Sequence, residues 1–404
     1  MLMSLALIFI AGFAASWLCR RARLPGLVGM LIAGVLLGPC VLDLLDGTLL
    51  SVSGQLRQMA LAIILLKAGL TLNISDLKKV GRAAVLMSCL PAACEILGYV
   101  LLAPVFLGIS RVEAALMGAV LAAVSPAVVV PRMVRLMEEK RGTGKSIPQL
   151  IMAGASCDDI FVIVLFSTFT GMAQNGGAEL IGLLDIPISI TLGVLLGAAV
   201  GFILSLVFRR GGIPGAVRTV LAFSAGLLLM GTESLLESHV PISGLLGVVA
   251  MACVLRLRSA SGEAETLAGS FGRLWTAAEV LLFVLVGAAV DIGSTLNAGP
   301  AALLMILAAL VFRSAGVLIS LLGTELRPRE RLFCVLAYLP KATVQAAIGS
   351  VPLALGLSCG SVVLSVAVLG ILITAPLGAL AIDLSGPRLL HDDSGQDTKL
   401  QQGN

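Results

Sequence analysis

Two adjacent carboxylates, Asp158 and Asp159, lie within residues 147–172, a stretch that is otherwise apolar enough to cross a membrane. An ionisable side chain at that depth costs about 2.5–3.5 kcal/mol on insertion scales, so it is rarely retained without a function. No basic residue between positions 147 and 172 neutralises the pair. A proton and a small cation would compete for the same carboxylate oxygens, so the pair predicts an exchange site. The alternative is a polar patch in a re-entrant segment.

Further oxygen atoms extend the candidate ligand set. Ser156 lies just before Asp158, and Ser125 lies in another span that contains helix breakers. Hydroxyls, carboxylates and freed backbone carbonyls suit a small alkali cation, and the sequence has no His or Cys cluster typical of a transition-metal site. Neighbouring helical residues point about 100° apart, so both Asp side chains can border one cavity but only one points straight into it. We expect no cofactor.

The composition indicates a polytopic membrane protein. Of the 404 residues, 58% are hydrophobic and 12% are charged, and the mean hydropathy is +1.06, which is outside the range of soluble domains. The net charge of +4 does not indicate nucleic-acid binding, because the basic residues are scattered over short loops. The eight Cys show no paired spacing, and we interpret them as reduced core residues.

Apolar runs of suitable length predict an all-α fold with about thirteen transmembrane helices, separated by Pro, Gly and charged residues. The short loops exclude a large soluble domain, and the polar residues after Arg388 are expected to form a disordered tail. The predicted spans cover residues 3–18, 24–40, 57–73, 83–107, 112–130, 147–172, 187–208, 217–234, 240–255, 274–292, 299–322, 332–352 and 361–383.

The positions of Lys and Arg predict the orientation. One set of alternate loops, together with the C-terminal tail, holds 22 of the 27 basic residues, and the opposite loops hold only Arg57 and Arg111. By the positive-inside rule, the N-terminus lies outside and the C-terminus is cytoplasmic. We therefore expect a multi-pass protein of the cell membrane.

An internal repeat appears when the chain is compared with itself at a shift of 218 residues. Residues 26–29 then fall on residues 244–247, and residues 69–74 fall on residues 287–292, with Gly at matching positions. The first unit begins with the second span and the other unit begins with the ninth. Because these starts are seven spans apart, an odd number, the two units have opposite orientations in the membrane. Inverted repeats are typical of secondary transporters, whose ion site lies at the midplane where the repeats meet.

The same shift places two charged residues at equivalent depth, Glu95 and Arg313. Each alone would be a costly buried charge, and their opposite signs allow an ion pair. A direct role in transport and a salt bridge that only holds the core together are both open at this point. A third intramembrane base, Lys67, lies near the cytoplasmic end of its span, so we expect its side chain to snorkel.

Two spans carry helix breakers at equivalent positions, Pro126 and Pro340. A mid-span Pro removes a backbone donor and frees a carbonyl that lipid does not solvate. Interrupted helices at matching places in inverted repeats point to the ion site of a transporter. Thr343 is the repeat counterpart of Ser125, and Lys341 is placed to neutralise the carbonyl ends at the second break. The alternative is a simple Pro kink beside a snorkelling Lys.

These motifs resemble those of the monovalent cation/proton antiporters with the NhaA-type fold, and more closely those of the NHA-type sodium/proton exchangers. The resemblance covers nearly all of the second to the thirteenth span. It implies exchange of Na⁺ or Li⁺ for H⁺ by an elevator-like motion, with Asp159 as the essential cation ligand and Asp158 as its partner. The residues that carry it are the acid pair in its Gly-Ala-Ser-Cys context, Glu95, Arg313 and residues 65–70, 125–131 and 339–346.

The resemblance also implies a homodimer in the lipid bilayer, with the fifth and twelfth spans crossing as broken helices inside a six-helix core. Arg313 stands where electrogenic bacterial relatives have a Lys, and Arg does not release its proton at physiological pH, which favours electroneutral exchange. The expected parts are a dimerisation half (residues 1–82 and 217–292), an ion-carrying core (83–172 and 299–384), a linker helix (187–208) and a cytoplasmic tail (385–404).

Three other function classes are alternatives to exchange. An intramembrane aspartyl protease needs two Asp from different helices around one water, which adjacent Asp on one helix do not supply. A channel or a non-transporting sensor would show no counterflow of protons and Na⁺. A sodium-coupled symporter of an organic anion on the same fold is the main alternative; it needs a larger polar cavity and usually paired cation sites, whereas this chain has one acidic pair.

Overall fold

The computed structural model describes residues 1–22, 24–71, 81–174, 180–210, 212–236, 242–259, 262–290 and 292–392. These residues form eighteen helices and no strand, apart from one isolated β-bridge between Arg141 and Asp392. In chain order the helices are α1 (Leu2–Arg21), α2 (Gly26–Leu37), α3 (Gly47–Ser51), α4 (Ser53–Thr71), α5 (Arg82–Met87), α6 (Leu90–Leu107), α7 (Arg111–Ala122), α8 (Pro126–Glu138), α9 (Ile147–Gln174), α10 (Leu180–Arg209), α11 (Gly215–Leu236), α12 (Gly244–Arg258), α13 (Glu263–Ala288), α14 (Ile292–Ser320), α15 (Pro328–Ala337), α16 (Thr343–Ile348), α17 (Val351–Ala354) and α18 (Gly360–Leu389).

Nine helical segments in the described ranges are long and apolar enough to cross a membrane, which makes the chain a multi-pass integral membrane protein. Four other predicted spans fall on shorter, less apolar or interrupted helices, namely α2, α4, α12 and α15–α17, so thirteen crossings stay a prediction. The nine segments are Leu2–Arg21, Arg82–Leu107, Arg111–Glu138, Ile147–Gln174, Ile188–Arg209, Gly215–Thr232, Glu263–Ala288, Gly299–Ser320 and Gly360–Leu389.

Two helices extend beyond the apolar runs from which they were predicted. Helix α13 begins at Glu263, well before the predicted span, because acidic residues in its first turn favour the positive end of the helix. Helix α18 continues to Leu389, and the backbone N–H of Gly142 then donates to the carbonyl of His391 at 2.9 Å. The predicted tail of residues 385–404 therefore starts inside a helix, and its residues after 392 lie outside the described part of the chain.

Close helix packing depends on glycine at several contacts. A Cβ added to Gly34 of α2 would lie 2.0 Å from the carbonyl oxygen of Val284 in α13, and one added to Gly316 of α14 would lie 2.7 Å from the Cα of Pro91 in α6. Small residues let backbones approach closely in lipid, where apolar burial gives little driving force. One group of packed helices comprises α1, α2, α4, α10, α12 and α13, and a second comprises α6, α7, α9, α14 and α18.

Two helices are interrupted inside the bundle. Residues 123–125 separate α7 from α8, and residues 338–342 separate α15 from α16. Pro126 occupies the first position of α8, where its missing N–H removes no intrahelical bond. The two interruptions are bonded to each other, since the backbone N–H of Ser125 donates to the carbonyl of Pro340 at 2.8 Å. The ends of four half-helices are thereby brought to one place.

The α2–α13 contact gives a packing test. Gly34→Ala should lower the melting temperature of the detergent-solubilised protein, because the added Cβ would overlap the carbonyl oxygen of Val284. Overpacking of this kind costs about 1–3 kcal/mol of unfolding free energy. Gly269→Ala is the matched control, since an added Cβ at this α13 position meets nothing within 4 Å. Equal melting temperatures for the Gly34 variant and the wild type would contradict the packing.

Candidate functional site

Asp158 is held through one of its two carboxylate oxygens. It lies in α9, and its side chain is fully buried. Its Oδ2 accepts hydrogen bonds from the backbone N–H of Val124 at 2.8 Å and from Nη2 of Arg313 at 3.2 Å. Its Oδ1 is buried and has no hydrogen-bond partner among the described residues. One oxygen is therefore fixed by the first interruption and by Arg313, and the other is left for a ligand.

Asp159 has a different environment from its neighbour. Its side chain is half-buried, and its Oδ1 lies away from solvent without a hydrogen-bond partner in the described ranges. No Lys or Arg of those ranges forms an ion pair with it, whereas Arg313 pairs with Asp158. Adjacent residues of a helix point about 100° apart, so the two carboxylates meet different neighbours.

Glu95 of α6 lies between two basic side chains. Its Oε2 is 2.8 Å from Nη1 of Arg313, and its Oε1 is 2.6 Å from Nζ of Lys341. All three side chains are fully buried. The pairing of Glu95 with Arg313, which the repeat suggested, is thus present in the structure, and Lys341 is a second partner that the repeat did not indicate.

These residues form a buried cluster in which four charges balance. The carboxylates of Glu95 and Asp158 are matched by the side chains of Arg313 and Lys341. Buried ions are tolerated only when they are paired and hydrogen-bonded. Asp159 lies next to this balanced cluster without a basic partner of its own in the described part of the chain.

The end of α7 presents three backbone carbonyls, those of residues 121–123, to the protein interior, where no continuing helix donates N–H groups to them. Side chains from α14, from the second interruption and from α16 donate to all three, which removes the cost of unpaired backbone groups. Lys341 was predicted to neutralise carbonyl ends at the second break, whereas its Nζ reaches a carbonyl at the first break. The contacts are Lys341 Nζ to Leu121 O at 2.5 Å, Arg313 Nη1 to Ala122 O, and Gln345 Nε2 to Ala123 O at 2.8 Å.

Gln345 is a residue of this site to which the sequence had assigned no role. It is fully buried in α16, and its Oε1 accepts a hydrogen bond from the backbone N–H of Ala342 at 2.7 Å. Its amide oxygen therefore accepts a hydrogen bond at the start of α16, and its amide nitrogen donates one to the carbonyl that follows α7. The signal that identifies it is a polar side chain directly after a helix break in an otherwise apolar segment.

The three predicted hydroxyl ligands, Ser125, Thr343 and Ser156, have different surroundings in the structure. Ser125 is buried, and its Oγ has no partner in the described ranges, a property it shares with Oδ1 of Asp158 and Oδ1 of Asp159. Thr343 is buried at the first position of α16. The side chain of Ser156 lies outside the described part of the structure. No group of three or more His, Cys, Asp or Glu suited to a metal ion occurs in the described part of the chain.

Comparison with known proteins gives a consistent result. The family model described as "Sodium/hydrogen exchanger, transmembrane" matches residues 5–383. Human sodium/hydrogen exchanger 9B2 is 36% identical over 400 residues, which cover 94% of this chain and 72% of that protein. Mouse sodium/hydrogen exchanger 9B1 is 32% identical over 384 residues, covering 91% of this chain and 66% of that protein.

A solved structure shows the same fold. The structure of the sodium proton antiporter MjNhaP1 from Methanocaldococcus jannaschii at pH 8 aligns with a TM-score of 0.80 and covers 96% of this chain and 99% of that chain, at 19% identity. The proteins to which the chain is similar are transporters rather than enzymes. Because the family model spans residues 5–383 and these exchangers match over more than nine-tenths of the sequence, the chain belongs to the sodium/hydrogen exchanger family.

Proposed function

We propose that the chain exchanges a monovalent cation, Na⁺ or Li⁺, for a proton at Asp159, with Asp158 as the second carboxylate of the site. The observation that carries this proposal is the position of Asp159 beside a cluster whose other charges are balanced. An uncompensated carboxylate with an oxygen shielded from solvent, as Oδ1 of Asp159 is, is costly unless it takes up a proton or a cation. Either ligand removes the imbalance, and both use the same oxygens, so they bind alternately.

The ligands for the cation would be oxygens that have no other partner. Oδ1 of Asp158, Oδ1 of Asp159 and Oγ of Ser125 meet this condition in the described ranges, and hard oxygens of this type suit an alkali cation. The three carbonyls at the end of α7 already accept side-chain donors, so they add less to the proposal than the sequence suggested. We include Thr343 and Ser156 as further candidate ligands on their sequence positions.

The helix boundaries support an inverted repeat and hence alternating access. Helix α2 begins at Gly26 and α12 at Gly244, while α8 begins at Pro126 and α16 at Thr343. Helix starts thus recur at a shift of about 218 residues, as expected for two units that share one midplane site. The proposed parts are a dimerisation half (residues 1–82 and 217–292), a core (83–172 and 299–384) that moves against it, and a linker helix (187–208), assembled as a homodimer.

The ion pairs favour an electroneutral cycle. Asp158 is stabilised as a carboxylate by Arg313 and by a backbone N–H, and Arg does not deprotonate at physiological pH. Lys341 has Nζ within 2.6 and 2.8 Å of the two oxygens of Glu95, which stabilises its charged form. This leaves Asp159 as the one proton carrier, so one proton would leave as one cation binds.

The alternative of an organic-anion symporter gains no support from the comparisons, because the matching proteins are named as exchangers or antiporters. We place the chain in the cell membrane with its N-terminus outside and its C-terminus in the cytoplasm. The uneven distribution of Lys and Arg over alternate loops supports this orientation.

Substitution at the acid pair tests the carrier assignment. Asp159→Asn should abolish Na⁺-driven proton release from proteoliposomes, because Asn keeps the side-chain shape but exchanges no proton. Asp158→Asn should impair transport less, since Asp159 remains and Arg313 keeps its bond to Glu95. An unchanged gel-filtration profile shows that each variant is folded. Robust transport by the Asp159 variant would exclude this residue as the carrier.

Competition for one site predicts a pH dependence of cation affinity. As pH falls from about 9 to about 6, protons should occupy more of the sites, so the KM for Na⁺ should rise while the maximal rate at saturating Na⁺ changes little. The measurement is Na⁺-dependent pH-gradient dissipation in proteoliposomes at fixed internal pH. A KM that stays flat over this range would indicate separate proton and cation sites.

The stoichiometry is tested with a membrane potential. A potential imposed on vesicles with equal cation concentration and equal pH on both sides should drive no cation uptake by the wild type, because a one-for-one cycle moves no net charge. Arg313→Lys is the informative variant, since it introduces a base that can release a proton. Potential-driven uptake by the wild type would rule out the neutral cycle. If neither protein responds, Arg313 has a structural role and does not set the stoichiometry.

A further inference from the structure

Tyr338 lies at the second interruption, directly after the end of α15. Its side chain is fully buried. In a continuous helix its carbonyl would accept a bond from the residue four positions later, but the interruption at residues 338–342 leaves that carbonyl free. Its hydroxyl has no hydrogen-bond partner in the described ranges.

Tyr338 contacts Arg313 in two ways. Its carbonyl accepts a hydrogen bond from Nε of Arg313 at 2.5 Å, and the guanidinium carbon of Arg313 lies 5.5 Å from the centroid of its ring. A guanidinium over an aromatic face is attracted by the ring, more strongly where water is absent. Within the described ranges, the other hydrogen bonds of Arg313 go to Glu95, Asp158 and the carbonyl of Ala122, so Tyr338 adds an aromatic contact and a fourth acceptor to this set.

The far end of the same ring rests on the helix that carries the acid pair. A Cβ added to Gly154 would lie 2.0 Å from the hydroxyl oxygen of Tyr338 and 3.3 Å from its Cζ. Gly154 precedes Asp158 by one helical turn, so the two residues lie on the same face of α9. The ring therefore extends from the guanidinium of Arg313 to the backbone of α9 next to Asp158.

We propose that Tyr338 is a positioning residue of the exchange site: its ring and carbonyl hold Arg313 at Asp158, and Gly154 provides the space in which the ring fits. This inference rests on the proposed exchange at the acid pair. The hydroxyl acts only through its size, because it bonds to nothing in the described ranges. Loss of the ring would loosen Arg313, weaken the stabilisation of the Asp158 carboxylate and let protons compete better with the cation.

Two substitutions separate the ring from the hydroxyl. Tyr338→Phe keeps the aromatic face and should leave the KM for Na⁺ within about twofold of the wild type. Tyr338→Leu removes the cation–π contact and should raise that KM about tenfold at neutral pH, in keeping with the energy of a desolvated contact of this kind. The maximal rate at saturating Na⁺ should change little, and the pH profile of exchange should move to more alkaline values. A structural role alone would lower the rate and leave the pH profile in place.

The space at Gly154 is tested by rescue. Gly154→Ala should raise the KM for Na⁺ and lower the melting temperature, because the new methyl group meets the hydroxyl of Tyr338. The double variant Gly154→Ala/Tyr338→Phe should recover part of both losses, because it removes the overlap with the hydroxyl, while Cβ of Met87 at 3.0 Å and Cζ at 3.3 Å stay close to the new methyl group. Gly171→Ala is the matched control on α9, where an added Cβ meets nothing within 4 Å.

The outcomes that overturn the inference are distinct from failure of the proposed function. A Phe variant as impaired as the Leu variant would mean that the hydroxyl acts directly, and a Leu variant with normal KM and pH profile would remove any positioning role. A double variant no better than Gly154→Ala would refute the contact. If the wild type shows no cation-driven proton movement, the proposed exchange fails, while the melting temperatures of the Gly154 and Tyr338 variants still decide the contact.

Discussion

Two interrupted helices leave backbone carbonyls inside the bundle, and the organisation of the centre depends on supplying donors to them. Unpaired backbone groups away from water cost several kcal/mol each in a medium that resembles hydrocarbon. The chain supplies these donors with Arg313, Lys341 and Gln345, which reach the last carbonyls of α7. Two of the three donors are cations, so they require buried carboxylates in turn, and Glu95 and Asp158 fill that need.

Because the carbonyls need donors and the cationic donors need carboxylates, the two adjacent acids of the site have unequal surroundings. Asp158 belongs to the balanced set, because Arg313 and a backbone N–H hold one of its oxygens. Asp159 is outside that set, and its Oδ1 has no hydrogen-bond partner in the described ranges, which is consistent with the proposed exchange at this residue. The unequal surroundings come from helix geometry, which directs successive side chains toward different neighbours.

Much of the centre could be predicted from the sequence because burial in a membrane makes each polar residue informative. The cost of polar groups in lipid drew attention to the acid pair and to the breaks at Pro126 and Pro340, and the predicted repeat shift allowed an ion pair between Glu95 and Arg313. The second partner of Glu95 could not be found in this way. Lys341 is 246 residues away from Glu95 in the chain, and the repeat does not relate the two positions.

Helix ends and aromatic contacts were less accessible for different physical reasons. Hydropathy marks where a segment leaves the lipid, whereas α13 begins at Glu263 because hydrogen bonds and end charges continue the helix in water. The space that Gly154 leaves for Tyr338 depends on how α9 packs against the second interruption, and neither residue type nor spacing encodes that distance. Gln345 had a local signal, a polar residue in a buried half-helix, but its two partners follow only from the folded chain.

The balanced cluster also limits the routes by which this sequence can diverge. Replacing Glu95 alone would leave two buried cations with the single carboxylate of Asp158, and replacing Lys341 alone would leave Oε1 of Glu95 without its basic partner. Removing one partner of a buried pair costs about 3–5 kcal/mol, a large fraction of the stability of a typical domain. Neutral drift at these positions must therefore pass through compensating double changes. Lineages that leave this arrangement should do so in steps that alter opposite charges on α6 and at the second interruption together.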